Sequence, residues 1–152
     1  MKRLLLTLTL IISANAWAED MISLPAYLDK HKDLDINNLF YIYARCSAVN
    51  NKVWVLSKDS SKFKDALAKP SLEMFERYYV EAGNILTKIS GKKPEEIRKN
   101  LKATITGMIE EYTTMSDEHF IKTGDFFLEQ MTEDANICTQ LFIDTFNESV
   151  VN

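Results

Sequence analysis

Two histidines, two cysteines and several neighbouring carboxylates are the side chains in this 152-residue sequence that could do chemistry. His119 stands beside Ser116, Asp117 and Glu118, the residue types of a nucleophile–base–acid relay. Such a relay needs the imidazole held by a carboxylate and facing the nucleophile, and adjacent positions on a helix do not face each other. His119 is therefore expected to be an exposed residue at a helix start, and His31 lies in a polar stretch with no such company. The pairs Glu110/Glu111, Asp117/Glu118 and Glu133/Asp134 could supply acid–base work of the glycosidase kind if one carboxyl sat in an apolar pocket. The same pairs also make a solvated helix face, and nothing in the sequence separates the two. The sequence contains no Glu-x-x-His, no Cys-x-x-Cys-His and no glycine-rich phosphate loop. Too few His and Cys remain for zinc once the cysteines pair, and calcium-loop spacing is missing. No catalytic, metal or cofactor residue is predicted, and the chain is not expected to be an enzyme.

Cys46 and Cys138 are the whole thiol complement. In an oxidising compartment an even pair reads as a structural disulfide rather than a redox or metal pair, which would favour a short spacing. The bridge would close a loop of about 90 residues, for which the chain-entropy model allows about 4–5 kcal/mol.

The segment Phe40-Tyr41-Ile42-Tyr43-Ala44-Arg45-Cys46-Ser47-Ala48 puts aromatic residues on more than one side of a helix, with an arginine beside the bridging cysteine. Two readings apply. Arg45, Tyr41 and Tyr43 could form an exposed contact surface, since these types are enriched at binding hot spots. Alternatively the helix is buried around most of its girth, with Arg45 snorkelling or paired to a carboxylate of the acidic last helix. This aromatic Arg-Cys-Ser helix followed by a distant cysteine in a last helix resembles small exported helical proteins of marine bacteria and their phages. The resemblance implies export and a Cys46–Cys138 bridge, and it brings no activity with it.

The elements that must position these residues follow from caps and periodicity. Residues 19–34 form a polar arm or short helix containing Pro25. Asp35 caps a helix over 36–57, in which Leu39, Tyr43, Cys46, Val53 and Leu56 recur at helical spacing. After a Lys- and Ser-rich linker, Pro70 opens a helix with a Leu72, Phe75, Tyr79, Ala82, Leu86, Ile89 stripe, ended by Gly91. Pro94, Glu95 and Glu96 start a third, with Ile97, Leu101, Ile105, Met108, Tyr112 and Met115 as its apolar face. A fourth is expected from Ser116 or Asp117 to about Asn147, with a core face including Phe120, Phe127, Met131, Cys138 and Phe142, and breaks at Gly124 and over 132–136. The expectation is an all-α, four-helix bundle-like single domain over 19–152, its first and last helices joined by the disulfide.

Composition agrees: four glycines and three prolines, against six methionines and eight phenylalanines, are too few turn formers for a sandwich or barrel. Residues 1–18 read as a cleavable export signal, with Lys2 and Arg3, an apolar run from Leu4 to Ile12 and the small-x-small site Ala16-Trp17-Ala18. The run is half the ~20 residues a permanent span needs, so a periplasmic or secreted product with no stable membrane insertion is expected. Residues 19–102 hold 15 basic and 12 acidic side chains, whereas residues 103–152 hold Lys122 against ten carboxylates. That distribution argues against nucleic acid, whose phosphates need clustered Lys and Arg. The acidic run from Glu110 to Asp134 reads either as a solvated face or as a surface for a protein partner of unknown identity. The alternative is a binding module for a small apolar or cationic ligand between the helices, lined by Phe, Tyr and Met.

Overall fold

The computed structural model describes residues 21–147; the export segment and cleavage site expected within residues 1–18 lie outside them. Among the described residues all regular structure is helical. The helices are α1 (Leu24–Lys30), α2 (Ile36–Ser57), α3 (Lys69–Ser90), α4 (Pro94–Thr123) and α5 (Glu129–Phe142), with π-helical turns at Lys64–Ala68 and Ile143–Asn147. The protein is an all-α single domain of four main helices, and the polar arm contributes the short fifth, α1. No helix among the described residues is long and apolar enough to cross a membrane.

α2 is the central element. Asp35 caps it as expected, its carboxylate accepting from the backbone N–H groups of Asn37 and Asn38 at 2.8 Å each. The backbone bond from Asn38, opposed by some desolvation, holds the Asp35 carboxyl below its ordinary pKa. From Phe40 to Asn50 every residue but Tyr43 is buried. A helix buried on all sides must be contacted on all sides, and α2 packs against α3, α4 and α5. The small residues Ala44, Cys46, Ser47 and Ala48 let those neighbours come close.

α3 carries Pro70 in its first turn and ends at Gly91, whose φ of 58° is the left-handed conformation that glycine adopts without penalty. Its buried face is Ser71, Met74, Tyr78, Ala82 and Ile85, one position round from the expected stripe. Leu72, Phe75, Tyr79, Leu86 and Ile89 flank it half-buried. The apolar arc of α3 is wider than its contact, so sequence periodicity alone picks the arc's wrong edge. At Gly83 the backbone passes so close to α4 that an added Cβ would meet Leu101 Cδ2 at 3.2 Å.

The boundary expected near Ser116 does not exist. α4 runs through it to Thr123, and the break falls at Gly124, with φ 78°. Ser116 is a buried helix residue whose hydroxyl donates to the Phe126 carbonyl at 2.7 Å, tying the chain beyond the turn back to α4. Nor does α5 break over 132–136, because Met131, Asp134 and Cys138 all point into the core from one face. Cys46 and Cys138 form a disulfide with Cα atoms 5.4 Å apart, joining α2 to α5.

Candidate functional site

The segment singled out for its aromatics and arginine turns inward. Arg45 has 0% exposure, Tyr41 is also buried, and Tyr43 is half-buried. An exposed recognition surface made of these three side chains is therefore not what the fold presents. Tyr43 instead joins a ring cluster with Tyr78 at 5.4 Å and Phe146 at 6.4 Å. The physical reason for burying Arg45 is a carboxylate supplied from 89 residues away. Arg45 Nη2 donates to Asp134 Oδ2 at 2.6 Å and Nε to the same oxygen at 3.2 Å, with both side chains fully buried.

Two phenols complete this cluster. Arg45 Nη1 donates to the Tyr41 hydroxyl at 2.9 Å, and Nε donates to the Tyr112 hydroxyl at 3.0 Å. Tyr112 in turn donates to Asp134 Oδ2. The other carboxylate oxygen, Oδ1, accepts the Leu24 N–H at the start of α1. That bond replaces a local cap, for Ser23 offers no side-chain capping bond to α1. Beside it the Gln130 side chain donates to the Met21 carbonyl. One turn along α5, the Tyr78 hydroxyl donates to the Cys138 carbonyl at 2.6 Å. Polar and covalent links from α1, α2, α3 and α4 thus converge on α5.

The electrostatics are those of a sealed site. Burial works to lower the Arg45 pKa, but charge interactions with Tyr112, Asp134 and Tyr41 outweigh it and hold the guanidinium above its ordinary value. Burial pushes Tyr112 well above the ordinary phenol range, with Asp134 reinforcing the shift and Arg45 opposing it. No buried side-chain nitrogen or oxygen among the described residues lacks a hydrogen-bond partner. A group must come within hydrogen-bond reach of a substrate to act on it, and Arg45 and Asp134 have no surface to offer. The cluster orients helices.

The remaining candidates are dispersed. His31 packs against the Tyr27 ring at 4.4 Å, and His119 sits half-buried on α4. Glu110, Glu111, Asp117 and Glu118 are exposed, while the Glu133/Asp134 pair is split, with Glu133 outside and Asp134 in the core. Among the described residues no three His, Cys, Asp or Glu side chains converge so as to hold a metal ion. Reasoning from sequence anticipated a carboxylate partner for Arg45 in the last helix but not Asp134 itself. A usable signal existed: Asp134 lies four positions before Cys138, hence on the same helix face, and Arg45 adjoins Cys46.

The surface feature of note lies at the α4–α5 turn. Phe120, expected in the core, is 41% exposed because α4 continues past Ser116 and carries it outward. It stacks on Phe126 with ring centroids 4.0 Å apart and planes 5° from parallel. Ile121, the next residue of α4, is 82% exposed. This tip is built rigidly. Gly124 N–H closes the last turn on the Phe120 carbonyl at 2.8 Å, Asp125 N–H bonds Thr123 Oγ1 at 3.1 Å, and Phe127 N–H bonds Asp125 Oδ1 at 2.9 Å.

A second surface feature is an open groove of about 240 Å³ between α3 and α4, lined by Tyr79, Val80, Gly83, Ile97 and Leu101 among others. Its floor exists because Gly83 has no side chain to fill it. No family model matches the chain, and neither a curated protein nor a solved structure matches it.

Proposed function

We propose that this is an exported, non-enzymatic helical protein that acts by protein–protein contact in the cell envelope or medium. The observation that carries the reading is the exposed apolar tip of Phe120, Ile121 and Phe126 at a hydrogen-bonded turn. The Phe120–Phe126 stack supports the turn itself, whereas Ile121 is left in water, and an aromatic anchor with an exposed apolar neighbour is what a contact site requires. Between Glu110 and Glu133 there are seven carboxylates and one lysine, apart from the buried Asp134. The complementary surface is thus an apolar pocket with a basic rim. Export is supported by the leader-like pattern of residues 1–18, by the disulfide and by the resemblance to small exported helical proteins of marine bacteria and their phages. The absence of catalysis is supported by the sealing of Arg45, Asp134 and Tyr112 away from any substrate.

The test is crosslinking and capture of the exported protein from its native host envelope, beside the Ile121→Glu variant. A recurrent partner recovered with the native chain and lost with Ile121→Glu is the expected result. Equal recovery by both, or neither a host protein nor a second copy captured with either, overturns the reading. The alternative, a small apolar or cationic ligand held between helices, would use the α3–α4 groove. It predicts a ligand-dependent rise in melting temperature, which a thermal-shift screen reads directly.

A further inference from the structure

We infer, resting on the reading of the tip as a protein-contact site, that the tip's partner is a second copy of this chain: the tip seats in the α3–α4 groove of a neighbouring copy and joins copies head to tail. Three observations lead there. The first is shape. The tip is a stacked pair of aromatic rings with an exposed isoleucine next to Phe120 along α4, and the groove is an open, mostly apolar one lined by Tyr79, Val80 and Leu101 with Asn84 and Arg98. A second shallow depression on α3 shares Tyr79 and Val80 with the groove and is lined also by Phe75 and Glu76. Val80 on the groove's lip is 53% exposed among the described residues, an apolar group left half open to water.

The second is charge. Residues 88–102, which hold the groove's α4 wall and the turn leading to it, contain six basic and two acidic side chains, and Arg98 lines the groove itself; the α3 wall carries Glu73, Glu76 and Glu81 against Arg77, so the basic rim lies on the α4 side. Residues 110–133, which hold the tip, contain seven acidic side chains and one basic. Each surface supplies the rim the other needs, and opposite potentials favour and steer such an encounter.

The third is geometry. The groove uses Ile97, Arg98 and Leu101 in the first turns of α4, and the tip lies at the end of the same 30-residue helix. At 1.5 Å per residue the helix is about 45 Å long, so tip and groove cannot meet within one copy. They can meet only between copies. Because the two surfaces differ, the contact is heterologous and propagates, giving a ring if the rotation closes and a filament if it does not. The patch is small, so association is weak and falls with added salt.

Sedimentation of the whole, disulfide-bonded protein in low salt tests this, with Ile121→Glu disabling the tip and Val80→Glu disabling the groove. Both positions are exposed, so both variants keep the fold. The native chain is expected to rise at least about twofold in weight-average mass between about 10 μM and about 1 mM, a range that spans weak affinities. Each variant alone stays monomeric. An equimolar mixture of the two forms a dimer and nothing larger, because each variant retains the surface the other has lost. A native chain that stays monomeric throughout, variants that still assemble, or a mixture that stays monomeric overturns the inference. A monomeric native chain that still captures a host protein through Ile121 overturns self-association and leaves the contact reading standing. Assembly and host capture both indifferent to Ile121→Glu overturn the two together.

Discussion

The polar centre around Arg45 and the tip around Ile121 are built from similar residues and do opposite things. Both combine aromatic rings with carboxylates, and both depend on α4, at Tyr112 in the first and Phe120 in the second. In the centre the carboxylate is inside and each buried side-chain nitrogen and oxygen has a partner, so its groups spend their chemistry on one another. At the tip the carboxylates are outside and the apolar groups face water, so the unspent free energy is available to a partner. Polar groups in a core mark architecture when they are mutually satisfied, and apolar groups on a rigid surface turn mark contact.

The largest effects should come from breaking the centre. Asp134→Ala leaves a guanidinium buried without its counter-charge and frees the Leu24 N–H, and is expected to lower unfolding free energy by about 3–5 kcal/mol in urea titrations. Replacing Arg45 and Asp134 together with Met and Leu should recover part of that loss, because it removes the orphaned charge while leaving the Tyr112 hydroxyl and the Leu24 N–H without these partners. A double variant as unstable as the single one would show that the pair is worth far more than its desolvation. Removing the disulfide by Cys46→Ala with Cys138→Ala is expected to cost about 2–5 kcal/mol, read in the same titration.

Alkaline pH should act on the same region. Burial raises the pKa of Tyr78 and of Tyr112 above the ordinary phenol value of about 10. The unfolded chain therefore loses these protons first. The stabilisation is fully present below about pH 10 and is lost as pH rises towards the folded values, by about 1.4 kcal/mol per pH unit for each group. Tyr78→Phe should reduce that slope by one proton. An unchanged slope would mean that Tyr78 ionises as readily in the fold as out of it.

The smallest effect on stability belongs to the tip. Ile121→Glu should change unfolding free energy by no more than about 0.5 kcal/mol, as surface substitutions do. A variant that loses its partner at that small cost sharpens the contrast between the regions. A loss of several kcal/mol would erase it, by making the tip part of the core's support.

Much of the architecture was legible because its determinants are local. Asp35 as a cap, Pro94 in a first turn and Gly91 at a helix end all act within a few residues, and each boundary they mark is found, whereas the helical run into α3 begins before Pro70, in the turn Lys64–Ala68. The disulfide was legible because two cysteines allow one pairing. What the sequence by itself determined is thus an all-helical chain with these ends and this staple. Tertiary structure alone decided which of ten carboxylates meets Arg45, that Ser116 stays helical and hidden, and that Phe120 faces water. Those outcomes depend on how helices pack across separations such as the 89 residues between Arg45 and Asp134. Periodicity reports how wide an apolar arc is, but the neighbour that arrives decides which edge of it is covered.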